Sequence, residues 1–156
     1  MRISQYAYFA LRSPVVPAAE MAARLGLEPD EVTVRGSRTV DPPRPAVHTW
    51  KIVCRERGLR VDEQIDRIIE RLGPYRDRVV ALSRELGVHG PEHGGAVLEV
   101  VRYFDDEDGE EEELSPPGAA LQKLAGQHQL LGWGLDRRVL EFLLMTGAYL
   151  DVDEYG

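Results

Sequence analysis

Val61-Asp62-Glu63-Gln64-Ile65-Asp66-Arg67-Ile68-Ile69-Glu70-Arg71-Leu72, halted at Gly73-Pro74 and resumed through Val79, Val80, Leu82 and Leu86, is the stretch on which the fold turns. Val61, Ile65, Ile68, Ile69 and Leu72 recur at three- and four-residue intervals, which places them on one face of a helix. Acids and arginines fill the opposite face. Proline has no amide hydrogen and clashes with the preceding turn, so Gly73-Pro74 predicts a kink or two abutting helices over residues 61–86. A long amphipathic helix of this kind needs an apolar surface to lie on, and the flanking segments read as strands that would supply it.

Upstream, residues 47–55 alternate: His48, Trp50, Ile52 and Cys54 on one side, Val47, Thr49, Lys51 and Val53 on the other. This is the period of a strand. Residues 36–45 hold three prolines and predict no regular element. Residues 31–35 read as a short edge strand. A short helix with Met21, Ala22 and Leu25 on its apolar side ends at Gly26, and residues 3–11 form the first strand, rich in Tyr and Phe. Downstream, residues 87–95 are a glycine-rich turn and residues 96–104 a valine-rich strand. Residues 105–113 are acidic and predict a solvated loop. A short helix is expected within 115–129. A second, capped by Asp136, carries Val139, Leu140, Leu143 and Leu144, and stops at Gly147. Residues 148–155 form the last strand, with Leu150 and Val152 expected to point into the core and Tyr149, Asp151 and Asp153 the other way.

The order is strand, helix, strand, long helix, strand, helix, strand. The expected fold is α+β: a single four- to five-stranded mixed sheet with helices packed mainly on one face. The two strand–helix–strand thirds suggest a ferredoxin-like pseudo-duplication. A length of 156 residues reads as one domain, 1–156, with a flexible acidic insertion at 105–130.

Further residues carry a resemblance. Gly26-Leu27-Glu28-Pro29, then Arg35-Gly36, then the Trp50 strand, and the closing Gly147-Ala148-Tyr149-Leu150-Asp151-Val152-Asp153-Glu154-Tyr155 together resemble the bacterial domain-of-unknown-function 4279 family. The resemblance spans most of the chain apart from about residues 106–130, and it implies no catalytic residues.

Composition narrows the function classes. A net charge of −8 opposes general affinity for nucleic acid or anionic membrane, both of which need clustered positive charge. The one cysteine, Cys54, excludes an internal disulfide and fits a reducing compartment. The amino-terminal residues lack the apolar run of a signal peptide, so the cytoplasm is the expected location. His89 and His93 have metal-ligand spacing, but Gly90, Pro91, Gly94 and Gly95 break the helix that would align them. Residues 105–110 lack calcium-loop spacing. Residues 18–35 imitate half of a helix-turn-helix, yet Gly36 and Pro42-Pro43 forbid its second helix. No phosphate loop, dinucleotide fingerprint or nucleophile elbow is present. No cofactor and no metal site is expected.

What remains are four binding candidates. Asp151 and Asp153 share one face of the last strand, where paired carboxylates suit a cation or acid–base work. Trp50 and His48 share one face of theirs, where an indole can stack on a ligand or fill the core. The expected function is therefore a non-enzymatic binding or interaction domain with a protein partner, acting by electrostatic complementarity. The alternative is an enzyme or small-molecule-binding protein with a cleft near Trp50, His48 and Asp151/Asp153. A symmetric homodimer is the candidate oligomer, because exposed strand edges need cover.

Overall fold

In the computed structural model, residues 1–90, 94–111 and 130–156 are described. The chain runs β1 (Arg2–Ser13), α1 (Ala18–Leu25), β2 (Glu31–Thr33), β3 (His48–Cys54), α2 (Val61–Leu72), α3 (Arg76–Leu86), β4 (Gly95–Phe104), β5 (Glu110–Glu111), α4 (Arg137–Thr146) and β6 (Tyr149–Tyr155). One sheet forms in the order β2-β3-β1-β4-β6, with β5 beside the start of β1. All neighbours are antiparallel except β4 and β6, which run parallel. The α+β class and the single sheet agree with the sequence reading. The described strands number six rather than four or five, because the two-residue β5 carries no periodicity to detect.

The anticipated break at Gly73-Pro74 is present: α2 ends at Leu72, a single 3-10 turn follows, and α3 begins at Arg76. Asp136 caps α4, its carboxylate accepting the Val139 amide at 2.9 Å. The false helix-turn-helix resolves as α1 followed by strand β2. The expectation of pseudo-equivalent halves fails on strand direction. Within the first strand–helix–strand unit β1 and β3 pair antiparallel, whereas β4 and β6 of the last unit pair parallel.

The core lies between one sheet face and the helices. Ala7, Phe9 and Leu11 of β1, Trp50, Ile52 and Cys54 of β3, and Ala96, Leu98 and Val100 of β4 meet Val61, Ile65, Ile68 and Leu72 of α2 and Val79, Leu82 and Leu86 of α3. Phe142 of α4 sets its ring edge-on against Phe9, with centroids 5.3 Å apart. Gly94 is required where β4 begins: a Cβ there would lie 2.4 Å from the Leu86 carbonyl oxygen. Gly147, at φ +68, supplies the left-handed cap that turns α4 into β6.

Two details differ from the expected loops. Asp105 to Glu111 is a turn tied into the sheet: β5 pairs with Arg2 and Ile3, and the Glu110 carboxylate accepts the Gly58 amide at 2.5 Å. Where the chain returns, the buried Arg102 donates to the carbonyls of Leu130 (3.1 Å) and Leu131 (3.2 Å), to Gln5 Oε1 and to the Glu154 carboxylate. The short helix expected within 115–129, the rest of the acidic tract and His93 lie outside the described residues.

Candidate functional site

Strand alternation and register decide what the second sheet face displays. Tyr8 lies opposite Glu99, and Glu99 opposite Asp151. Val101 lies opposite Asp153, and Tyr103 opposite Tyr155. These side chains, with Tyr6 and Arg12 of β1 and Lys51 and Arg55 beside β1, all point away from the helices. Small buried residues, Ala10, Val97 and Val101, floor the face. Tyrosines and charges rise around them.

The centre is Glu99, half-buried on β4. The Tyr8 hydroxyl donates to its carboxylate, and Asp151 and Asp153 stand beside it on β6. Burial pushes the Glu99 carboxyl above the usual carboxylate range, and the Asp153 and Asp151 charges push the same way; the Tyr8 hydrogen bond and Lys51 oppose them. The Tyr8 phenol is raised too, by burial first and then by its carboxylate partner. Tyr155 is raised chiefly by the charge of Asp153, whose carboxylate accepts its hydroxyl at 3.3 Å.

Cations and rings alternate around this acidic centre. Arg55 lies 3.9 Å over the Tyr6 ring and the Lys51 ammonium 4.2 Å over Tyr8. Arg12 covers Tyr149 at 5.4 Å and donates to its hydroxyl. Tyr103 and Tyr155 stack with centroids 5.0 Å apart. Between Tyr6, Arg55, Tyr103 and Tyr155 the face dips into a shallow depression of about 590 Å³. Arg55 also pairs with Glu31, Lys51 lies close enough to Glu99 for its charge to act on that carboxylate, and Asp151 and Asp153 stand on the β6 side of the acidic row. Among the described residues no group of three His, Cys, Asp or Glu side chains could hold a metal ion.

The four residues singled out from sequence do not share one cleft. Asp151 and Asp153 lie together on this face, as their spacing implies. Trp50 is 0% exposed on the opposite, helix-covered face, and its indole N–H donates to the Leu27 carbonyl at 3.2 Å. It is a core residue. His48 starts β3, and its Nδ1 accepts the Arg35 amide at 3.1 Å, which holds the preceding loop to the sheet. From β3 to β6 is three strand spacings, about 14 Å. Sequence reasoning missed Glu99, Tyr8, Tyr6, Lys51 and Arg55. One signal was available: Glu99 is the lone acid inside the apolar run Ala96-Val97-Leu98-Glu99-Val100-Val101.

Strand β6 is the other unusual element. It pairs with β4 on one side and, among the described residues, with nothing on the other. Leu150 and Val152, expected to point into the core, stay 37% and 38% exposed: α4 packs inward on Phe9, and none of the described helices covers that side of β6. The Val152 amide donates to the Asp151 side chain at 3.1 Å.

Among the described residues no helix is long and apolar enough to cross a membrane. Comparison with curated proteins and with solved structures finds no match. A family model described as a domain of unknown function, DUF4279, matches residues 3–156. The match runs through the residues between 106 and 130 that read as an insertion, and the chain belongs to the DUF4279 family.

Proposed function

We propose that this domain is a non-catalytic binding module for a cationic segment of a partner protein, engaged by the acidic part of the second sheet face. The observation that carries this reading is the row Glu99, Asp151 and Asp153. It is set by register on adjacent strands and flanked by Tyr8, Tyr149 and Tyr155 on a face that none of the described helices covers. Carboxylates in a row attract lysine and arginine side chains, and tyrosines supply rigid area that is polar at one end. The chain's net charge of −8 adds a long-range field of the same sign, which steers a basic partner towards the surface.

The test is titration of the purified chain with a fluorescent lysine-rich peptide of about ten residues, long enough to cross the face, and with its glutamate counterpart. The lysine peptide should bind, weaken as ionic strength rises through about 0.1 M, and lose most of its affinity for the Asp151→Asn, Asp153→Asn double variant. Failure to bind at low salt, or equal affinity for parent and double variant, overturns the reading.

A further inference from the structure

The side of β6 that no described residue pairs adds a geometric demand to that charge. We infer that the partner segment binds as an additional strand along β6, and that it alternates basic with apolar residues. This rests on the cationic-partner reading and specifies its mode. β6 is seven residues long and has one unpaired side among the described residues. Its backbone groups on that side are the template for strand addition. The Val152 amide donates to the side chain of the residue before it, at 3.1 Å.

The two faces of β6 then dictate what the added strand must carry. Side chains directly across from each other on neighbouring strands lie about 4.5–5.5 Å apart. On one face the newcomer meets Asp151 and Asp153, so residues there are lysine or arginine. On the other it meets Leu150 and Val152, apolar and more than one-third exposed, so residues there are apolar. An incoming carbonyl accepts the Val152 amide and frees the Asp151 carboxylate for the facing cation. A second copy of this chain fits poorly: an antiparallel β6 pair centred on Val152 would set each Asp151 against the partner's Asp153, and like charges placed so repel.

The probes are four synthetic heptapeptides, measured by calorimetry and by amide exchange on the intact chain. One alternates lysine and valine. One has the same composition with the lysines in a block. Two are alternating peptides, N-methylated at every lysine or at every valine. An added strand offers the amides of every second residue to β6, so one methylated isomer should bind within about twofold of the parent peptide and the other roughly tenfold or more weaker. The block peptide should also be weaker, and the outward amides of β6, Val152 among them, should gain protection. If all four bind alike, strand addition is wrong while cation binding stands. If none binds, both readings fall. A concentration-dependent dimer that excludes the alternating peptide would assign the edge to a second copy and overturn the inference.

Discussion

Glu99 sits where three influences on one carboxyl can be separated. Burial and the neighbouring Asp153 and Asp151 raise its affinity for a proton, while the Tyr8 hydroxyl and Lys51 lower it, and the net direction is up. A carboxyl whose folded-state value is raised contributes stability that is fully present below its unfolded value, about 4.3, and is lost as pH rises through the raised value. Glu99→Gln keeps an oxygen to accept from Tyr8 and removes the ionisation. The variant should therefore gain on the parent as pH rises above about 4.3, read as the difference between their urea midpoints at each pH. Asp30 and Glu85, whose carboxyls are lowered chiefly by hydrogen bonds from Arg71 and Arg24, act in the opposite sense in both proteins and cancel from that difference. A midpoint difference that stays flat or shrinks with pH would show that Glu99 is not the group responsible.

At the scale of elements, α4 and β6 share a short connection but not a burial. Phe142 is buried on Phe9, whereas Leu150 sits on an edge strand with over a third of its surface in water. Phe142→Ala should cost about 3–5 kcal/mol and Leu150→Ala below about 1 kcal/mol, since only the first opens a cavity. Equal losses in thermal or urea unfolding would mean that β6 is covered. Here lies the limit of what the sequence discloses. The helices and main strands follow from local periods, and the Gly73-Pro74 break from proline chemistry. The face shared by Asp151 and Asp153 follows from the period of two. Strand order and register do not, because they depend on pairings such as Tyr8 with Glu99, 91 positions apart. For that reason Leu150 and Val152 read as core residues from their alternation alone, and the acidic row stayed hidden until β4 and β6 were aligned. Trp50 was ambiguous for a related cause: an indole in an alternating strand looks the same whether helices or solvent cover that face.

For the whole molecule, the side of β6 that no described residue pairs sets the question of self-association. Natural edge strands are blunted by charge, and β6 carries Asp151, Asp153 and Glu154 within seven residues. Two copies that met along β6 about Val152 would bring Asp151 and Asp153 together twice, within a molecule whose net charge is already −8. The intact chain should therefore sediment as a monomer at micromolar concentration and neutral pH, in place of the homodimer that exposed edges suggest. The same register makes the barrier reversible by one change. Asp153→Lys would set a lysine opposite the partner copy's Asp151 at both ends of the two-fold pair, converting two repulsions into two attractions of about 0.2–1 kcal/mol each. With Val152 brought against its counterpart, the variant should self-associate where the parent does not. Salt should weaken that association as ionic strength rises toward about 1 M, where the screening length falls to about 3 Å, below the spacing of the facing pair. Sedimentation velocity across ionic strength reads both outcomes. An Asp153→Lys chain that remains monomeric would show that charge is not what keeps the β6 edge apart, and that the edge is closed by some other part of the molecule.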